Sequence, residues 1–300
     1  MNAQEKTAGY LAALLSSATF GLIPLFTVPL MRMGMSTEPI LFYRFLFAAL
    51  LVALVMVIRG MSFKLRERRY ILTLLGLGTL YFCSAFFLIE GYRSMTSGMA
   101  TVIHFMYPIM VALLMLVLFR QKMSGRGVVA LVLAFCGVIL LSGLLTEGAV
   151  GQSTSLWSIG KVAFSGFCYA MYIVVVNKSG IGAVPMWRFS FYLMLICALF
   201  FAFFATAKGS MVLPDKGAEW GLLILLGLVP TVISNLLLVM AIPRIGSTAT
   251  SIMGVMEPLT AVVVGVLVLG ERITLTIGLG MGVILIAVWL LVTDKKQVEP

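Results

Sequence analysis

The chain has 300 residues, of which 61% are hydrophobic and only 11% charged, and its mean hydropathy is +1.12. Soluble domains carry roughly 25% charged residues, so 21 Lys and Arg with 11 Asp and Glu cannot cover a water-exposed body, and lipid must solvate most of the chain. Ten spanning helices of about 20 residues would leave only about 100 positions for loops and tails, which excludes a soluble catalytic domain, and the net charge of +10 reads as a record of orientation rather than an affinity for nucleic acid.

In chain order, apolar stretches fall at about 9–30, 38–58, 70–90, 97–119, 127–145, 156–177, 184–207, 219–240, 246–269 and 273–293. Each is long enough to cross a bilayer as a helix, and none has the length of a strand. The first exceeds the roughly 7–15 residues of a signal-peptide core, so it is expected to stay as a span. Segment one carries Thr19 and Phe20, segment two carries Arg44, and segment three carries Tyr81 and Ser84. Segment four holds Thr101, His104, Tyr107 and Pro108 at helical spacing, which places them on one predicted face. Tyr169 and Tyr172 follow in segment six, then Thr231, Ser234 and Asn235 in segment eight. Segment nine repeats the four-residue face as Ser251, Gly254, Glu257 and Pro258. Cys83, Cys136, Cys168 and Cys197 each stand alone in apolar runs, which suits buried thiols better than zinc or disulfides.

The basic residues set the expected topology. With the N-terminus inside, Lys6, Arg59, Lys64, Arg66, Arg68, Arg69, Arg120, Lys122, Arg126, Lys178, Arg244, Lys295 and Lys296 fall on the inner side, thirteen in all. Arg32, Arg93, Lys208, Lys216 and Arg272 fall outside, making five. That bias places both termini in the cytoplasm. A shift of 150 superposes Pro108 on Pro258, Met106 on Met256, Ser97 on Ser247 and Ser84 on Ser234. Residues 39–45 align with 185–191 at a shift of 146. Five spans per half is an odd number, so the halves must be inverted relative to one another, with a site expected between them near the midplane. The fold expected is therefore an all-α integral membrane protein: ten transmembrane helices as two inverted five-helix repeats, 1–148 and 149–300.

The run Ile-Gly-Ser-Thr-Ala-Thr-Ser-Ile-Met-Gly-Val-Met-Glu-Pro-Leu-Thr-Ala-Val at 245–262, followed by Leu-Gly-Glu-Arg-Ile-Thr at 269–274, resembles the second-half signature of the drug/metabolite transporter superfamily. Within it the chain is most similar to the EamA-like ten-helix exporters. The first half departs from that pattern: Tyr107 precedes Pro108 where the second half has Glu257, and Gln121-Lys122 stands where the family often has Gly-Glu. The resemblance implies a secondary carrier, commonly an exporter of amino acids or related metabolites, in a bacterial inner membrane.

The residues themselves mark a cavity. A proline within a helix frees the carbonyl four residues back, here those of His104 and Gly254. Equivalent breaks in both halves point to a transporter site. Glu257 near the bilayer centre suits a proton-coupling or substrate-amine group, or a structural carboxyl bonded to Asn235, Ser234 or a freed carbonyl. His104 suits a titrating group or a satisfied buried imidazole. Arg44 suits a substrate carboxylate, a partner for Glu90 or Glu257, or snorkelling, and snorkelling also explains Arg188. Glu90 near the end of segment three suits an interfacial pair with Arg93. Tyr81, Ser84, Phe20, Tyr169, Ser234 and Asn235 extend the wall, and Trp157, Trp187, Trp220 and Trp289 are placed in an interfacial belt. No phosphate-binding loop is present, so ATP is not the direct energy source. Proton exchange and downhill movement both remain open. The expected partners are a small-molecule substrate and the bilayer, with no nucleic acid, cofactor, metal or obligatory oligomer. An embedded enzyme lacks a nucleophile–base pair or a metal cluster, and a passive channel or a non-transport membrane protein remains the alternative.

Overall fold

In lipid every backbone polar group must find its partner within the segment, so apolar stretches of this length fold as helices. The computed structural model describes residues 3–65, 69–120, 124–142 and 155–294; within these, the side chains of 3, 69, 141–142, 182, 239, 242–243, 246–252 and 292 are not described. Gln121-Lys122 and the side chains of Ser247 and Ser251 thus lie outside the described residues. The described residues form thirteen α-helices and no strand: α1 (Ala3–Phe20), α2 (Ile23–Arg32), α3 (Thr37–Ile58), α4 (Arg69–Gly91), α5 (Ser97–His104), α6 (Tyr107–Phe119), α7 (Gly125–Ser142), α8 (Leu156–Lys178), α9 (Met186–Ala207), α10 (Gly217–Gly227), α11 (Ser234–Met253), α12 (Met256–Leu267) and α13 (Leu275–Val292). A π-helical turn, Leu228–Ile233, joins α10 to α11.

Seven helical segments are long and apolar enough to cross a membrane, and Gly125–Leu140, Met256–Leu267 and Leu275–Leu291 are shorter apolar helices. The chain is accordingly a multi-pass membrane protein. Leu267, Leu275, Phe203 and Val57 are exposed on its outside, as a lipid-facing surface requires. The interior is filled by Phe45, Phe105, Phe201, Met56 and Met99. Cys136 departs from the expected burial and is exposed on α7, whereas Cys168 and Cys197 are buried.

Several expected single helices are broken. Segment one divides at Gly21-Leu22 ahead of Pro24, and segment four divides at Phe105-Met106 ahead of Pro108. Segment nine divides at Gly254-Val255 ahead of Pro258. In segment eight, Pro230 cannot donate to the carbonyl four residues back, Leu226, and the backbone relaxes into the π turn. The Thr231 hydroxyl takes up that carbonyl at 3.1 Å.

Helix α11 is helical throughout yet cannot be straight. Ser16 Oγ donates to the Ser234 carbonyl at 2.7 Å, and the neighbouring Ser17 Oγ donates to the Gly254 carbonyl at 2.9 Å. Twenty residues of straight helix would separate those carbonyls by about 30 Å. The chain therefore doubles back beside Gly9, which lies against Arg244 and Ile245. This reversal is where segment eight gives way to segment nine.

Packing pairs α1 with α11, α4 with α8, α3 with α9, α5 with α12 and α7 with α13. One end of the bundle is laced by Arg32 to the Leu269 carbonyl (2.7 Å), Arg93 to the Met35 carbonyl (3.0 Å), Lys208 to Glu38 (2.7 Å) and the Ser97 amide to Glu271 (2.7 Å). At the opposite end Arg188 donates to the Ser62 carbonyl (2.9 Å) and Tyr192 to that of Phe63 (2.8 Å). We call these the Arg93 end and the Arg59 end.

Gly21 lets the α1–α2 break pack directly on α12, because a Cβ there would collide with the Glu257 carbonyl and the Thr260 side chain. A Cβ at Gly76 in α4 would meet open space. Gly21→Ala is expected to destabilise the protein by about 1–3 kcal/mol. Gly76→Ala should be neutral or stabilise by up to about 1 kcal/mol. Thermal unfolding of the two purified variants in one detergent checks the contrast, and equal midpoints would contradict it.

Candidate functional site

The helix breaks converge on two buried charges. Arg44, eight residues into α3, is 2% exposed, and Glu257, at the start of α12, is 8% exposed. The π turn aims Thr231 at Arg44, whose Nε donates to the Thr231 hydroxyl at 3.1 Å. The guanidinium also lies over the rings of Phe45 (5.3 Å) and Phe20 (6.0 Å), on whose negative faces a desolvated cation is stabilised. Its terminal amino groups donate to no protein group among the described residues. Glu257 is within electrostatic reach of Arg44, but the two form no ion pair, and the Glu257 carboxylate accepts no hydrogen bond among the described residues. Each charge keeps most of its bonding capacity in reserve.

Aromatic rings surround the pair. Tyr81 stands edge-on to Phe45 (5.7 Å) and tilted against Tyr172 (5.4 Å) and Tyr169 (6.2 Å). Tyr169 stacks on Tyr172 (5.7 Å) and meets Tyr107 edge-on (4.8 Å). Tyr81, Tyr107 and Tyr169 all lie within electrostatic reach of Glu257. Phe20, Arg44, Tyr81, Tyr107, Tyr169 and Glu257 thus form one cluster.

Other expected site residues take structural roles. His104 Nδ1 bonds the Ser165 hydroxyl at 2.8 Å, and Ser165 donates to the Ser84 carbonyl at 2.7 Å. That chain binds α5 and α4 to α8 and gives the imidazole a partner, although its ring remains 5.5 Å from Tyr169. The His104 carbonyl freed ahead of Pro108 lies 2.9 Å from where a Cβ at Gly166 would sit, so only glycine allows α8 to come this close. Ser234 exchanges hydrogen bonds with Ser16 and is unavailable to Glu257. The Gly254 carbonyl freed ahead of Pro258 is taken by Ser17 and by the Glu257 amide. Asn235 lines an adjacent cavity.

Some expected placements require correction. Thr101, His104 and Tyr107 do not share a continuous face, because the helix breaks between His104 and Tyr107, and Thr101 instead meets the Tyr92 hydroxyl at 3.2 Å. Glu90 pairs with Arg93 at 3.3 Å, as expected, and accepts from Thr37, so the alternative of a pair with Arg44 falls. Arg44 does not snorkel. Trp187 is not only a belt residue, since it lines a cavity beneath Arg59. Sequence reasoning missed Pro230, whose only signal was a proline inside an apolar run, and Ser165, which carried no signal at all.

Two cavities approach the cluster from opposite ends. One, of about 380 Å³, runs from Thr231 and Asn235 to Arg59 and Trp187. The other, of about 900 Å³, lies at the Arg93 end among Arg32, Arg93, Glu271 and Tyr92. Tyr92 is within electrostatic reach of both Arg44 and Glu257. Among the described residues no group of His, Cys, Asp or Glu could hold a metal.

Comparison with known proteins gives this arrangement a context. The profile of the EamA-like transporter family matches twice, over residues 7–143 and 156–293. The chain belongs to the EamA-like transporter family. It is 28% identical over 282 residues to an "Uncharacterized transporter" of Archaeoglobus fulgidus, covering 93% of this chain and 94% of that one. A crystal structure superposes with a TM-score of 0.64 at 15% identity, covering 97% of this chain and 96% of the other, which supports the fold alone. The protein is thus a membrane transporter of the drug/metabolite transporter superfamily. Family and relative point away from an enzyme.

The His104–Ser165–Ser84 chain predicts a structural effect. Interhelical hydrogen bonds in lipid contribute about 0.6 kcal/mol on average and at most about 1.7. Ser165→Ala is expected to lower stability within that range by leaving both His104 and the Ser84 carbonyl without this partner. An unchanged midpoint in thermal unfolding would remove the structural assignment of His104.

Proposed function

We propose that this EamA-family protein is a secondary carrier that exports small organic metabolites such as amino acids. It works by alternating access around the Arg44–Glu257 cluster, between two inverted five-helix halves, 1–148 and 149–300. One observation carries the reading: two buried opposite charges that do not satisfy each other lie between a cavity that reaches Thr231, the partner of Arg44, and a second cavity at the Arg93 end whose lining includes Tyr92. A zwitterion supplies what both lack, a carboxylate for the free amino groups of Arg44 and an ammonium for Glu257. The tyrosines supply apolar and hydrogen-bonding surface around it.

The packing supports the inverted halves. Exchanging segment one with six, two with seven, three with eight and four with nine converts the α1–α11 contact into α8–α4. It also converts α3–α10 into α9–α4, and leaves α3–α9, α5–α12 and α7–α13 in place. Two successive matches to one family profile point the same way. The Arg59 end carries Arg59, Lys64, Lys178 and Arg244, which supports a cytoplasmic assignment for it and for both termini by the distribution of basic residues. The family resemblance suggests the inner membrane of a bacterium, and Glu257 is the group best placed to couple transport to protons.

Proteoliposomes preloaded with a mixture of amino acids provide the test. A carrier gives saturable counterflow with trans-stimulation, whereas linear, unsaturable flux would overturn the reading in favour of a channel. Glu257→Gln is expected to abolish accumulation driven by an imposed pH gradient while leaving counterflow measurable. If the variant responds to the gradient like the native protein, Glu257 is not the coupling group.

A further inference from the structure

The 380 Å³ cavity at the Arg59 end has a lining unlike the charged cluster it adjoins. On α3, Arg44, Ala48, Val52, Val55 and Arg59 are spaced by four, four, three and four residues, so they form a single stripe. The three between the arginines line the cavity. Across it stand Met194 and Ser190 of α9, with Leu236 and Met240 of α11. Among the described residues the polar groups at its inner limit are Thr231, already bonded to Arg44, and Asn235. Its mouth is framed by Arg59, whose guanidinium lies 5.7 Å over the Trp187 ring. From Ala48 to Arg59 the corridor follows α3 for eleven residues, about 16 Å. Its volume falls within the roughly 300–1,000 Å³ of ligand pockets.

We infer that this corridor is the subsite for the apolar body of the transported molecule. The cargo is then an amphiphile, with a charged head at Arg44 and Glu257 and a long or bulky apolar tail between α3, α9 and α11. The inference rests on the carrier reading above and adds the substrate class to it. Continuity decides the occupant. Thr231 belongs to both the corridor wall and the Arg44 site, so a molecule whose carboxylate meets the free amino groups of Arg44 has its tail directed along the apolar stripe. Small hydrophilic metabolites would leave that stripe unfilled and gain nothing from it. A lipid tail held there permanently would instead make the site indifferent to cargo size.

The test is a chain-length series of α-amino acids, from alanine through 2-aminohexanoate to 2-aminodecanoate, bound to the protein in nanodiscs. Each added methylene that enters the corridor is expected to raise affinity about fourfold, from the roughly 0.8 kcal/mol that burying one contributes. Ser190→Trp places a ring across the corridor and should flatten that dependence. Leu54→Trp, on the exposed face of the same helix, should preserve it. Should Ser190→Trp fail to fold, Val55→Trp obstructs the same passage from α3. Affinity independent of chain length in the native protein, or the same dependence in the obstructed variant, overturns the corridor while leaving the carrier reading intact. If no member of the series binds, the corridor is overturned, and the counterflow assay decides the carrier reading separately.

Discussion

Two charges held apart in the membrane interior set the terms for the rest of this structure. An Arg or a carboxylate near the centre of a spanning helix costs roughly 2.5–3.5 kcal/mol on insertion scales. The simplest way to offset that is a direct ion pair. Arg44 and Glu257 are close enough to interact and do not take it. Arg44 is stabilised instead by the Thr231 hydroxyl and the faces of Phe45 and Phe20. Phe45 is its neighbour on α3, whereas Thr231 comes from the π turn that follows α10 and Phe20 from the end of α1, where the helix breaks at Gly21.

The breaks follow from this constraint as much as from the prolines. Pro24, Pro108, Pro230 and Pro258 each disturb a spanning helix, yet the freed polar groups are taken up in different ways. Ser17 reaches the Gly254 carbonyl and Thr231 reaches that of Leu226. Glycine admits backbone to backbone at Gly21 and Gly166. The halves therefore share a break in segments four and nine but do not share chemistry. Glu257 precedes its proline, whereas Tyr107 precedes the other. The first half thus brings tyrosines and a hydrogen-bonded histidine to a site whose carboxylate comes from the second.

How much of this was legible in the sequence depended on whether the signal was local. The ten apolar stretches, the breaks at Pro108 and Pro258, and the unusual position of Arg44 and Glu257 inside apolar runs follow from composition and position alone. A charge inside an apolar run needs no partner to be conspicuous. The pairing of Ser234 with Ser16, the bond from Ser165 to His104 and the reversal within α11 depend on residues far apart in the chain, and no spacing announces them. Thr101, His104 and Tyr107 were misread for a related reason. Helical spacing assumes a continuous helix, and Pro108 ends that continuity three residues before the pattern does.

The two ends of the bundle differ in a way that bears on the proposed alternation. At the Arg93 end, Arg32 to Leu269 and Ser97 to Glu271 each join one half of the chain to the other. Lys208 to Glu38 does the same. Arg188 to Ser62 and Tyr192 to Phe63 bridge the halves at the Arg59 end. Individually such bonds contribute on the order of 1 kcal/mol. Both sets are formed together here, so under the proposed alternation opening either end breaks only two or three such bonds, a cost of a few kcal/mol that selective binding can redistribute. A substrate that satisfies Arg44 and Glu257 better in one arrangement than in the other is then enough to bias the equilibrium. In the proposed carrier, the unused bonding capacity of the two charges is what a substrate would draw on to supply that bias.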